Sequence, residues 1–133
     1  MSKKQTLDKF LNSKLPYSPV VIVDGNYLFS GVIPKVDDEH GVLVSTKIRN
    51  QIQEVLEKIK TLLADCGLSV NDIYGVTIML AGSMKHFKLV NEMYIEFLSG
   101  VEVKPRRKAF AVAALPFDAL IEIEFEATNQ KKD

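Results

Sequence analysis

Two charged stretches near the C-terminal end carry residue types suited to anion and proton chemistry. Arg106, Arg107 and Lys108, within KPRRKAFAVAAL (104–115), run straight into an apolar segment. Glu122, Glu124 and Glu126 recur at period two within ALIEIEFEA (119–127). A guanidinium is permanently charged and presents a planar fork that matches a carboxylate. A neighbouring glutamate can accept or return a proton. With room between them, such a pair would bind a small carboxylic acid and move protons on it. The plainer reading of the glutamate row is a solvated strand face. The cation run also permits phosphate contact, although no exposed aromatics are interleaved with it.

Other chemistries find less support. His40 and His86 are far apart, and neither has a Cys, His or carboxylate at ordinary metal-ligand spacing. Cys66 closes an apolar helical face and reads as a buried structural thiol rather than a nucleophile. The seven glycines form neither of the common phosphate-cradling patterns. No motif calls for a cofactor.

Composition narrows the classes further. Seventeen basic and seventeen acidic residues give a formal net charge of zero, which argues against a nucleic-acid partner. A 47% hydrophobic share at neutral charge favours self-association. One cysteine excludes an intramolecular disulfide and fits a reducing compartment. The segment MSKKQTLDKFLNSK lacks the apolar core of a signal peptide, and no apolar run approaches membrane-spanning length. A soluble cytoplasmic protein without a membrane partner is expected.

The elements that must position the charges follow from periodicity. The 133 residues suit one domain, with an N-terminal arm over 1–15 and a frayed tail over 128–133. VVIV (20–23) and YLFSGVI (27–33) read as strands joined by a turn at Asp24-Gly25-Asn26, where Gly and Asn tolerate positive φ. Residues 35–44 read as a polar loop. Ser45 or Thr46 can cap a helix whose apolar face runs Ile48, Ile52, Val55, Leu56, Ile59, Leu62, Leu63 and Cys66, ending at Gly67. IYGVTIML (73–80) is a strand. A second helix, capped by Ser83, places Met84, Phe87, Val90, Met93 or Tyr94, and Phe97 inward and ends at Gly100. VEV (101–103) reads as a short extended piece. In 119–127, Ala119, Ile121, Ile123, Phe125 and Ala127 face one way and the glutamates the other.

The order is β-β-α-β-α-β-β, an α+β arrangement with two helices on one face of a mixed sheet. The other face must meet solvent or another copy. Segments 107–114 and 119–127 are expected to pair as an antiparallel hairpin around Leu115–Asp118, bringing the glutamate face towards Arg107. Symmetric counting puts Glu126, not Glu122, opposite Arg107, and spacing alone does not choose between them. Arg106 alternates to the other strand face.

Several separated motifs, in order, resemble the Rid (reactive intermediate deaminase) family, also called the YjgF-type or L-PSP family. PYS (16–18), LFSGVIP (28–34), Gln51 with Leu56, ADCGLSVNDI (64–73), FKLVNEMYIEFL (87–98), PRRKAFAVAALP (105–116) and IEIE (121–124) carry the likeness. It spans about Pro16 to Ala127. The resemblance implies a chorismate-mutase-like fold, a homotrimer and ligand clefts between subunits. It implies cofactor-free hydrolysis of small 2-imino or 2-enamino acids to 2-oxo acids and ammonia. It assigns the substrate carboxylate to Arg107 and water or proton handling to Glu122. Tyr17, Ser30, Gly31, Phe87, Asn91 and a backbone contact at Ala109 are the implied binding residues.

The chain departs from the family pattern at Leu15, Pro19, Val32, Lys108, Ala109 and Ala114. Ala109 stands where a Cys is frequent, and Lys108 where a small hydroxyl residue is usual. Two other readings stay open at this point. One is a regulatory trimer that binds a small carboxylate without turnover. The other is the endoribonuclease or translation-inhibitor activity of the family's older label.

Overall fold

The period-two segment near the C-terminus becomes the central strand of a sheet. The computed structural model describes residues 3–36 and 42–129. Its elements run β1 (Val20–Val23), β2 (Asn26–Val32), α1 (Ile48–Asp65), β3 (Ile73–Ala81), α2 (Phe87–Phe97), β4 (Arg106–Val112) and β5 (Ile121–Thr128). This is the expected β-β-α-β-α-β-β order. The sheet order is β1-β2-β5-β3-β4. β3 and β4 are parallel, and the other neighbours are antiparallel.

The expected β4–β5 hairpin does not form. β4 instead pairs with β3, through a β3-α2-β4 crossover, and β5 inserts between β2 and β3. Burial explains the choice. Ile121, Ile123, Phe125 and Ala127 are all fully enclosed, which a strand achieves at the centre of a sheet under two helices. β4 is mostly exposed and stays at the edge. A single 3-10 turn at Pro116–Asp118, with Phe117 and Asp118 at positive φ, redirects the chain between them.

Both helices pack on one sheet face. Ile52, Val55, Ile59 and Leu63 of α1 and Val90 and Tyr94 of α2 meet the apolar side of β3 and β5. Phe29 of β2 stacks on Phe125, with ring centroids 4.2 Å apart and planes at 9°. Burying one such ring contributes about 1.5–3 kcal/mol. Gln51 is 1% exposed and ties α1 to the start of β5. Its Nε2 donates to the Ser45 carbonyl at 2.8 Å, and its Oε1 accepts from the Leu120 N–H at 2.8 Å. The polar face is the other one. There Arg106 reaches Glu126 at 3.4 Å, and a Cβ on Gly75 would collide with the Glu126 carboxylate.

Several boundaries shift from expectation. Val23 pairs with Asn26, so the turn is Asp24-Gly25 alone, with φ of 53° and 79°. Asn26 already belongs to the ladder. α1 starts after Lys47, with no side-chain cap. Ser45 Oγ instead accepts from the Lys47 N–H at 3.0 Å and from Asn50 at 3.1 Å. α2 starts after His86, and Ser83 Oγ accepts from the Lys85 N–H in the preceding turn. Residues 101–103 form no strand. Gly67 and Gly100 do terminate the helices in the left-handed region.

The N-terminal arm is tied down, because Gln5 bridges to Ile22 on the outer side of β1. At the other end Thr128 still belongs to β5, paired with Asn26, so the ladder extends into the expected tail. Cys66 is half-buried at the end of α1. Burial, then Asp65, pushes its thiol up to about 11, which keeps it protonated and unreactive. His40 lies outside the described residues.

Candidate active site

Strand register decides which charges can meet. Arg107 lies across from Val76, and Glu122 lies across from Met79. Val76 and Met79 are three residues apart on β3, so their side chains project to opposite faces. Arg107 therefore turns to the helix side and Glu122 to the polar side. With β3 between them, their strands are also roughly 10 Å apart. The predicted site residues divide into two groups on the same chain.

The first group surrounds Arg107. Phe87, Asn91 and Tyr94 fall at i, i+4 and i+7 on α2, so they share one helical face. Arg107 Nη1 donates to Asn91 Oδ1 at 2.7 Å. Its guanidinium carbon lies 5.4 Å from the Phe87 ring centre and 5.1 Å from that of Tyr94. Each cation–ring contact is worth about 0.5–1 kcal/mol at an exposed site. The aromatic faces and the amide fix the plane of the fork and leave other N–H groups for a ligand. Arg107, Asn91 and Tyr94 line a shallow cavity of about 270 Å³ together with Ile95, Leu98, Lys104 and Pro105. Ala109, across from Ile78, packs against the core on the same face.

The second group surrounds Glu122. The β2–β5 ladder is irregular between Phe29 and Val32, which takes Ser30 and Gly31 out of register. A Cβ on Gly31 would land on the Glu122 carboxylate, so glycine is what lets the acid lie against the strand. Ser30 Oγ donates to the Ser18 carbonyl at 2.7 Å, and the Ser30 N–H donates to the Pro19 carbonyl at 3.0 Å. Both bonds draw the Tyr17 segment alongside. Tyr17, Ser30, Gly31, Lys35, Phe117 and Glu122 line a cleft of about 410 Å³. Burial, and then the charge of Glu124, raises the Glu122 pKa above the usual carboxylate value. Such a carboxyl is poised to exchange a proton nearer neutrality.

A scan against known families matches the endoribonuclease L-PSP model over residues 8–129. The chain belongs to the endoribonuclease L-PSP family, the same Rid family the motifs resemble. A RutC family protein of Pyrococcus horikoshii is 44% identical over 110 residues, 82% of this chain and 83% of that protein. The human 2-iminobutanoate/2-iminopropanoate deaminase is 34% identical over 109 residues, 82% of this chain and 77% of that enzyme. Among solved structures, Escherichia coli TdcF with bound serine superposes with a TM-score of 0.77 at 31% identity, covering 87% of this chain and 90% of that one.

Three features of this L-PSP-family chain escape a reading of its sequence. Tyr94 looks like a core residue, yet its ring forms one wall of the Arg107 cradle. Only its spacing from Asn91 hints at that. Its hydroxyl is buried without a hydrogen-bond partner among the described residues. Lys35 falls in a stretch that reads as polar loop, yet it is 4% exposed. Phe117 falls in a turn, yet it walls the Glu122 cleft. The adjacent cations 106–108 also do not make one patch. Lys108 lies across from Thr77, on the glutamate face with Arg106, while Arg107 alone joins α2. No helix among the described residues is long and apolar enough to cross a membrane.

Proposed function

We propose that this protein hydrolyses small 2-imino and 2-enamino acids to 2-oxo acids and ammonia without a cofactor. The observation that carries this reading is Glu122. It is a partly desolvated carboxyl with a raised pKa, seated against Gly31 in a cleft large enough for a small ligand. The deaminase named among the relatives and the serine bound to TdcF add support for a small amino-acid-like ligand.

In this reading the substrate carboxylate takes two parallel hydrogen bonds from Arg107, held flat by Asn91, Phe87 and Tyr94. Glu122 takes a proton from water as the water adds to the carbon of the protonated imine, giving a neutral tetrahedral amino alcohol. It returns that proton to nitrogen and accepts the hydroxyl proton as the C–N bond breaks and the C=O bond forms, so one water enters and one ammonia leaves. An enamine first gains a proton at its terminal carbon to become the imine. Tyr17 and Ser30 bound the cleft, and the backbone of Ala109 is a further substrate contact in this reading.

Arg107 and Glu122 face away from each other within one chain. One small substrate touches both only where Arg107 of one copy approaches the Glu122 cleft of another. A homotrimer with clefts between copies, the assembly that the family resemblance implies, would supply that approach. The separation of Arg106 and Lys108 from Arg107 removes the contiguous basic patch that an RNA-cleaving role would use.

The test generates 2-aminoacrylate or 2-iminobutyrate in situ and follows its disappearance with wild type and Arg107→Ala. Wild type is expected to accelerate the loss and the variant to lose most of that acceleration. Equal rates with and without protein reject hydrolysis. Binding of a 2-oxo acid without turnover identifies a sensor instead.

A further inference from the structure

The open face of the sheet sorts its charges into rows that run from β4 across β3 to β5. Arg106, Gly75 and Glu126 form one row, and Lys108, Thr77 and Glu124 form the next. Phe110, Met79 and Glu122 form the row after that. Residues directly opposite in a ladder project to the same side, and the ends of each row are roughly 10 Å apart. The residue in the middle decides whether the ends can meet.

In the first row the middle residue is glycine. Arg106 crosses it and reaches Glu126 at 3.4 Å. A Cβ on Gly75 would collide with the Glu126 carboxylate and stand 3.2 Å from the Arg106 guanidinium. In the second row the half-buried Thr77 fills that place with a branched side chain. Lys108 and Glu124 are both exposed, and among the described residues the ion pair of this face is Arg106 with Glu126. Glu126 is therefore neutralised and Glu124 is not.

Glu124 lies two residues from Glu122 on the same side of β5, a backbone step of roughly 7 Å. A like charge so placed disfavours ionisation. Around Glu122 lie Gly31 and Ser30 of β2, Met79 of β3, and Tyr17, Lys35 and Phe117 of the cleft wall. Arg107 of another copy joins them in the assembled site. Burial and then Glu124 raise the proton affinity of Glu122.

We propose that Glu124 is a positioning residue for the hydrolysis: kept from Lys108 by Thr77, its carboxylate holds Glu122 able to carry a proton between water and nitrogen near neutrality. This rests on the hydrolytic reading above. A strong acid on Glu122 would be a poor base towards water, and a free Glu124 prevents that.

The experiment titrates Glu122 by carbon-13 NMR of the labelled glutamate carboxyls, with Glu122→Gln assigning the signal. It also records kcat/KM against pH with 2-iminobutyrate generated in situ. Glu124→Gln keeps the side-chain size and should shift the titration and the rising limb of the profile to lower pH. Glu124→Asp should keep both near their wild-type positions. Thr77→Gly should shift them as Glu124→Gln does, because Lys108 can then cross to Glu124 as Arg106 crosses to Glu126. Adding Lys108→Met to Thr77→Gly should restore them. Both of these variants carry the same strand glycine, so their difference does not report lost stability. A titration that Glu124→Gln leaves in place overturns the proposal. So does one that Thr77→Gly leaves in place, or a shift that Lys108→Met fails to undo. If wild type hydrolyses no imine, the hydrolytic reading falls by itself, and the titration alone decides whether Glu124 acts on Glu122.

Discussion

The guanidinium of Arg107 and the carboxylate of Glu122 project from opposite faces of one sheet, with β3 between their strands. A site that uses both must therefore join two copies. Arg107→Ala and Glu122→Gln should each be inactive alone. Unfolded together and refolded as a mixture, they should recover roughly a quarter of the wild-type sites, because random assembly in a cyclic oligomer pairs one intact half with the other at that frequency. Specific activity of the mixture measures this. No recovery would place both groups in action within one copy.

Gly31 gives a second prediction. Its missing Cβ is the space that the Glu122 carboxylate occupies. Gly31→Ala should swing that acid out of the cleft and lower kcat by about 100-fold, the lower scale of a positioned acid–base group. The thermal midpoint should fall much less than for a core truncation, since the displaced side chain can move towards solvent. Retained kcat would show that the acid acts from elsewhere.

The raised pKa of Glu122 sets the sign of a pH effect. The folded state holds the proton more tightly than the unfolded chain, whose carboxyl titrates near 4.5. The stability this group contributes is thus full below that value and is lost as pH rises through the folded pKa. Glu122→Gln cannot ionise. It should match wild type in acid and become the more stable of the two as pH climbs towards neutrality. Denaturant midpoints across that range check the sign, and a variant less stable at neutral pH contradicts it. Wild-type kcat/KM should rise with pH along a limb that lies above the usual carboxylate range.

Tyr94 presents a buried hydroxyl with no partner among the described residues, and burial outweighs Arg107 in raising its pKa. Removing such a group relieves a desolvation cost of about 1–3 kcal/mol. Tyr94→Phe should therefore be as stable as wild type or more so, and the ring against Arg107 is retained. A loss of stability would reveal a hydrogen bond to that oxygen. Asn91→Ala should instead raise KM, because the 2.7 Å bond that orients Arg107 disappears.

Much of the scaffold was legible in the sequence because local periodicity is enough to assign faces. The alternation through 119–127 told which side of β5 is buried, the apolar stripe through 48–66 told which side of α1 is, and Asp24-Gly25-Asn26 marked its hairpin one residue too long. Motif order also pointed to the family, which the comparisons bear out. Strand partnership was not legible. Two segments joined by a short turn look like a hairpin locally, yet β5 buries more apolar surface between β2 and β3, and β4 reaches β3 through α2.

That rearrangement reassigns the charges. Arg106, Arg107 and Lys108 are neighbours in sequence, and alternation alone separates Arg107 from the other two. Only the packing of α2 supplies the amide and aromatic faces that hold its fork. Lys35 and Phe117 are further apart still in sequence, one in a polar stretch and one in a turn. Sequence by itself determined which residues share a face. Tertiary structure decided which faces meet, because pairing and burial are won by contacts between distant segments that no local pattern encodes.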